Sequence, residues 1–436
     1  MRWSAVIVSV AVLLGMCLHA QAGAEESASA QPYSGDFFTR STLTGDWGGA
    51  RNDLAAKGVT FDASLTQIGQ GVVNGGKNGA WEYGGRGNLT GHLDTQKLGL
   101  WPGGFLTLEL EGNWANAIYG KTGALMPVNT NQLFPVPTGD NFNVPQLSFA
   151  QFLSHYAGVV VGKQDTSSGD ANEFAHGKGD TQFLNLAFNI DPVAIVVPYS
   201  TLGTGLIVLP TADPKQALVT FLVLSATGKA STSGFDDISG AIFAGEGRVR
   251  TDFFGLSGHQ LVAGLYSNKR YTSIDQRLGF AIDNRGLETR SGTWAAYYNF
   301  DQFLYETDKE KGQGVGLFGR FGASEGNPNP ARYFFSVGAG GKGIIPGRPI
   351  DRFGIGYYYI DIANPTLQGP LRNRSILRDE WGFEAFYNLA ITPWMLLTPD
   401  LQVVAPSQKK RIVGNFLDRE FIGTATVLGV RLQLLF

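Results

Sequence analysis

The sequence predicts an all-β protein: a transmembrane antiparallel β-barrel of about 16 strands, with a short N-terminal helix and long external loops. Three observations carry this reading: an export signal with no later membrane-spanning helix, a composition suited to a lipid-facing sheet, and period-two segments that run to the C-terminal Phe436.

The export signal comes first. Arg2 supplies the positive start, Ala5 to Leu14 an apolar run, and Ala20-Gln21-Ala22 a small-residue cleavage site. The apolar run is too short to cross a bilayer as a helix, which takes about 20 residues. Met16 is too large for a lipoprotein cleavage box before Cys17, and cleavage after Ala22 removes that single cysteine. The exported chain then has neither disulfides nor thiol chemistry, so its stability must come from elsewhere. A sheet closed inside a membrane supplies it. No further run of 18 or more apolar residues follows, which excludes a helical membrane protein.

Composition agrees. The 436 residues include 59 Gly, aromatics are 12% and charged residues only 16%, against about 25% in soluble domains. Net charge is −3 and no Lys/Arg stripe is present, so nucleic acid is not an expected partner.

The signal, 1–22, is followed by a polar segment, 23–57, expected on the periplasmic side or in the lumen. Within it 48–57 reads as a short helix that Gly58 stops. From 58 to 436 the pattern is that of a barrel. In 105–114, Leu106, Leu108 and Leu110 oppose Thr107, Glu109, Glu111 and Asn113. In 86–95, Leu89, Gly91 and Leu93 oppose Arg86, Asn88, His92 and Asp94. In 243–253, Phe243, Val249 and Phe253 oppose Glu246, Arg248, Arg250 and Asp252. Segments 381–388 and 395–403 repeat the design, and Arg431 and Gln433 interrupt the apolar series Leu428 to Phe436. A soluble sandwich alternates in the same way with its polar face outside; a porin inverts the sense. Strand number favours the porin: roughly 15 to 17 candidates, many near the 9–11 residues of a tilted membrane strand. Trp101, Trp114, Trp294, Tyr357 to Tyr359, Trp381 and Trp394 suit aromatic girdles. Tight links such as 101–104 and 391–393 alternate with long polar ones, 120–144, 164–182, 227–240 and 361–379. The first two are the expected candidates to fold back into the lumen. Phe436, with apolar residues at alternate positions before it, resembles the signal that barrel-assembly machinery reads.

Other chemistry is weak. Gly322-Ala-Ser-Glu-Gly326 fits a nucleophile elbow, but Pro328 and Pro330 prevent the helix that must follow. Gly338 to Gly343 lacks the Ser/Thr of a phosphate loop and reads as a hairpin or loop. The histidines have no zinc spacing. Asp165, Asp170 and Glu173 do not fit a calcium loop and read as solvated. No cofactor is expected.

Several stretches resemble the carbohydrate-selective porins of the OprB family. They are Leu43-Thr-Gly-Asp-Trp-Gly-Gly-Ala-Arg51, Lys57-Gly-Val-Thr-Phe61 and Val161-Gly-Lys-Gln-Asp165, then Gly316 to Pro330, Gly341 to Arg348 and Asp351 to Gly354. Glu384 to Asn388 and Thr398 to Pro406 complete the series. The resemblance implies a Gram-negative outer-membrane porin through which small carbohydrates, monosaccharides such as glucose, diffuse passively past a narrow charged constriction. Sugars and outer-membrane lipid are the partners implied, with self-association open. Hydroxyl-rich solutes need arrays of donors and acceptors, which Arg forks and carboxylates provide. The candidate constriction residues are Arg86, Glu109, Glu111, Arg248, Arg250 and Arg320. A general small-solute porin and a barrel enzyme are the alternative readings, with a secreted soluble glycan-binding protein behind them.

Overall fold

The computed structural model describes residues 33–133, 142–167, 172–235, 237–277, 286–365, 367–368, 377–412 and 419–436. The expected export signal lies outside the described residues.

Sixteen antiparallel strands close into one barrel. They are β1 (Val59–Gly76), β2 (Ala80–Asp94), β3 (Gly104–Ala115), β4 (Phe142–Phe152), β5 (Ala157–Asp165), β6 (Ser200–Val208), β7 (Ala217–Ser225) and β8 (Ala241–Phe253). The second half is β9 (Leu256–Thr272), β10 (Thr289–Asp308), β11 (Gln313–Ser324), β12 (Ala331–Lys342), β13 (Arg352–Ile362), β14 (Glu380–Thr392), β15 (Met395–Ala405) and β16 (Gly423–Leu435). Closure joins β1 to β16 from Ser64 opposite Leu435 to Gly76 opposite Gly423. Closing the sheet leaves no edge with unpaired backbone groups, the condition for a sheet to sit in lipid.

The alternation has the inverted sense. In β3, Leu108 is exposed while Thr107, Glu109 and Glu111 are buried. In β16, Leu428 and Val430 face outward and Arg431 and Gln433 inward. Lipid takes the apolar face and the barrel interior takes the polar one. The girdle expectation holds for Trp101, Trp294, Tyr357 and Trp381, which are exposed. It fails for Tyr358 and Trp394. Tyr358 is buried inside the barrel, because the strand parity that turns Tyr357 and Tyr359 outward turns it inward. Trp394 is buried in a turn, its indole Nε1 donating to Phe37 O at 2.8 Å.

Short turns gather at one end and long loops at the other. Turn 254–255 shows the tightest case: Phe254 (φ 59°) and Gly255 (φ 75°) are both left-handed, which matches the twist of flanking strands in a two-residue hairpin. At this end the helix α1 (Ala50–Ala56), within the expected 48–57, sits under the barrel seam. Arg51 donates to Thr42 Oγ1, Phe61 O and Phe436 O at 3.1, 2.5 and 3.0 Å. In a porin the short-turn end is periplasmic.

The main hydrophobic core lies inside the barrel, not between layers. It gathers Phe174, Phe183 and Phe188 from the β5–β6 loop against Phe318, Tyr358 and Phe386 of the wall. The wall makes room with glycine: a Cβ on Gly354 would lie 2.5 Å from the Phe386 ring and 2.8 Å from that of Phe183.

Candidate functional site

Two long loops turn inward and pack on each other. Described residues 116–133 and 172–199 meet through Thr130 N to Leu184 O, 2.7 Å, and Leu186 N to Pro127 O, 2.9 Å. A backbone that leaves the sheet and enters a lumen needs partners for its amides and carbonyls. Inward-facing strand side chains provide them.

Glu380 of β14 accepts from Leu125 N, Met126 N and Ser407 N at 2.6, 3.0 and 3.0 Å. Glu384, one helical-turn spacing later in sequence but on the same face of this strand, accepts from Leu184 N and Asn185 N at 2.5 and 2.9 Å. Cationic partners serve the carbonyls. Arg431 of β16 donates to Gly179 O and Gln182 O at 2.6 and 2.9 Å. Arg320 of β11 donates to Phe188 O at 3.1 Å and also to Ala175 O. Arg320 thus holds both ends of segment 175–188, and Arg431, from another strand, holds its middle.

The third anchor is ionic. Lys178 Nζ lies 2.8 Å from Glu111 Oε1 and 3.3 Å from Glu109 Oε1, and it also pairs with Asp165. Arg86 pairs with Asp180 at 2.5 Å and with Glu111 at 3.5 Å. Glu109, Glu111 and Asp165 place three carboxylates close enough to hold a metal ion, but the Lys178 ammonium already stands among them. Asp165 and Glu173 are not brought together. Asp165 serves this cluster and Ser167, whereas the backbone amide of Glu173 donates to Asp301 Oδ2 at 3.2 Å; Asp170 lies outside the described residues.

The six sequence candidates therefore divide. Arg86 is 2% exposed, Glu109 4%, Glu111 0% and Arg320 0%; all four contact the inward segment or the cation that it carries. Arg248 and Arg250 lie elsewhere, toward the short-turn end of β8. Arg248 donates to Pro214 O at 3.4 Å and Arg250 to Ser257 Oγ at 3.0 Å. On that strand the consecutive inward positions Ala244, Glu246, Arg248 and Arg250 are all half-buried, so water reaches them. Opposite them Tyr297 reaches Glu246 at 3.4 Å, and His259 Nδ1 lies 2.9 Å from Asp301 Oδ1.

Sequence reasoning did not single out Lys178, Glu380, Glu384 or Arg431 as site residues. Glu380 and Glu384 carried a usable signal: two carboxylates an even number apart in a strand whose other face is Trp381, Phe383 and Ala385. The nucleophile-elbow look-alike resolves into a strand end and turn, and the phosphate-loop look-alike into strand rather than the expected hairpin or loop. Ser324 ends β11 with its hydroxyl donating to Ala331 O at 2.7 Å, and Gly338 to Lys342 lie within β12.

A closed barrel with an inverted apolar face, a polar interior and inward-folded loops defines an outer-membrane porin. Comparison with protein families finds the carbohydrate-selective porin model, OprB family, matched over residues 78–436, and the chain belongs to that family. It is a sugar porin of the Gram-negative outer membrane, with permeating sugars and membrane lipid as its partners. Among solved structures it is similar to Pseudomonas putida OprB at high pH, with TM-score 0.75 and 20% identity over 92% of this chain and 100% of that one. The low-pH structure of the same porin gives TM-score 0.55 and 17% identity over 92% and 99%. A search of curated proteins finds no match.

Proposed function

We propose that sugars cross between the inward loops and the wall of β8 to β10, and that the buried anchors hold the loops without touching solute. The observation that carries this reading is the contrast in access: Arg86, Glu109, Glu111 and Arg320 are closed to water, while the inward face of β8 is wet. Glu246 offers acceptors and Arg248 and Arg250 offer forked donors, an array that replaces water around a neutral polyhydroxyl solute. Opposed charges on one narrow wall also orient the water that remains. Selection then follows from width and hydrogen-bond complementarity, and a monosaccharide such as glucose is the favoured size. Transport is passive diffusion.

No catalytic step is part of this reading; the Ser324 hydroxyl is already engaged by a carbonyl. Residues 1–22 act as the export signal, 33–57 stay at the periplasmic end, and Phe436 is what the barrel-assembly machinery recognises. Liposome swelling with glucose, a disaccharide and an amino acid tests the function. Faster swelling with glucose is expected; equal rates for all three would leave a general porin and remove sugar selectivity.

A further inference from the structure

Basic residues gather at the long-loop, outer rim of the barrel, over the seam where Gly76 of β1 meets Gly423 of β16. Backbone bonds knit three loops together there. Lys77 N and Asn78 N both donate to Lys121 O, at 2.7 and 3.0 Å, and Ile422 N donates to Lys409 O at 2.9 Å. A two-stranded ribbon, Lys410–Ile412 with Arg419–Phe421, carries Arg411 to the same place. Its guanidinium donates to Asn78 Oδ1 at 2.6 Å and also to Lys77 O. Lys121 lies 3.4 Å from Glu82 and Arg411 2.5 Å from Glu420. Lys77, Lys409 and Lys410 have no carboxylate partner among the described residues. Arg378 beside them donates to Pro406 O and Ile422 O, at 2.8 and 2.9 Å, and Asp379 accepts from the Tyr359 hydroxyl and Ile362 N. A chain of net charge −3 thus concentrates positive charge in one place, where gathered like charges repel.

We propose that this rim binds the phosphorylated sugar headgroup of an outer-leaflet lipid, of the lipopolysaccharide class, through Lys77, Lys409, Lys410 and Arg411. The proposal rests on the outer-membrane barrel and is independent of which solute permeates. Position points to a lipid. Trp81, 65% exposed, and Tyr83, 54% exposed, stand on the outward face of β2 just below the loop that carries Lys77, and such aromatics mark the level of the headgroups. Val73 is exposed on the neighbouring strand, so the basic loops continue from a surface that already meets acyl chains. Phe421 sets an exposed ring among the cations, with the Arg378 guanidinium 5.0 Å from its centroid. Headgroup phosphates offer oxygens to several ammonium groups and to an arginine fork at once. Lys/Arg clusters at a membrane surface attract anionic headgroups in this way, and a bound phosphate relieves the repulsion within the cluster.

Native mass spectrometry of the detergent-solubilised porin, titrated with bis-phosphorylated lipid A, tests the rim. The parent is expected to retain the lipid. Lys77→Gln, Lys409→Gln and Lys410→Gln combined are expected to raise the lipid concentration for half occupancy by about tenfold, the loss of three exposed charge contacts. Lys57→Gln with Lys97→Gln, which neutralises exposed lysines at the short-turn end, is expected to match the parent. Lipid A stripped of both phosphates is expected to bind the parent as weakly as the intact lipid binds the triple variant. If the triple variant fails to assemble, Lys77→Gln and Lys410→Gln decide singly, each expected to weaken binding by about twofold. Equal occupancy in parent and assembled variants, or equal binding of the phosphate-free lipid, overturns the proposal. So does displacement of the lipid by an equal concentration of inorganic phosphate, which would make the rim a site for the free ion. A paired porin in place of a porin–lipid complex would assign the rim to a second copy of the chain and overturn the proposal as well.

Discussion

Lys178 Nζ lies 2.8 Å from Glu111 Oε1, and neither side chain reaches water. The lysine rides on a loop and the glutamate on a strand, so this contact ties the inward segment to the barrel wall. With Glu109 and Asp165 also on the ammonium, removing the lysine takes the cation from those two buried carboxylates and leaves Glu111 with Arg86 alone. Breaking a buried ion pair from one side costs about 3–5 kcal/mol. Lys178→Met is expected to keep the barrel, which rests on backbone pairing, and to release the loop. The check is single-channel conductance, which rises in the variant, alongside an unchanged electrophoretic shift between heated and unheated protein.

Glu384→Ala and Glu384→Gln separate two contributions of one side chain. Alanine leaves Leu184 N and Asn185 N without their acceptor, at about 1–3 kcal/mol for each buried amide. Glutamine keeps one oxygen. Limited proteolysis of the folded porin is expected to cut within 172–199 readily in the alanine variant, slowly in the glutamine variant and not in the parent.

Asp351, in the turn 343–351 outside the membrane-spanning strands, titrates below the usual carboxylate range. Burial pushes its pKa up, and donors outweigh that effect: Arg348 Nε at 2.5 Å, Tyr387 hydroxyl at 2.6 Å and Ala390 N at 2.9 Å. A carboxyl with a lowered folded-state pKa adds stability that is full above its unfolded value, near 4, and is lost as pH falls through the folded value. Thermal unfolding in detergent is expected to drop between pH 5 and pH 3 more steeply for the parent than for Asp351→Asn.

Much of the fold was legible because a lipid-facing strand writes its pattern plainly. Thr107, Glu109 and Glu111 against Leu106, Leu108 and Leu110 marked the strand and its two faces, though not which of them meets lipid, and the closing strand ended where Phe436 suggested. The loop's destination was less legible. Segment 182–188 is apolar enough to be core, but nothing in it says that the core lies inside a barrel. The role of the anchors was hidden for a related reason: the even spacing of Glu380 and Glu384 marks a polar face, but these two and Arg431 bond to backbone atoms, which carry no sequence signature. Tyr358 shows the limit of composition, since three successive tyrosines look alike until strand parity sends the middle one inward.

Arg248, from the alternating pattern, and Arg320, from the family-like segment, were both constriction candidates in sequence, and the structure sets them apart. Arg320→Met is expected to loosen the loop and raise conductance for all small solutes. Arg248→Met is expected to slow glucose entry while leaving the loop in place. Swelling rates for glucose against an amino acid distinguish the two: the first variant loses selectivity by gaining flux, the second by losing it.

The route along β8 is tested most directly by cysteine accessibility, which the single Cys17 of the chain makes clean. Arg248→Cys and Thr66→Cys both place a thiol on the inward face, but Thr66 is wholly buried beneath the loops. A small charged thiol reagent added during conductance recording should block current through Arg248→Cys and leave Thr66→Cys unchanged. Block at Thr66→Cys with none at Arg248→Cys would contradict the route.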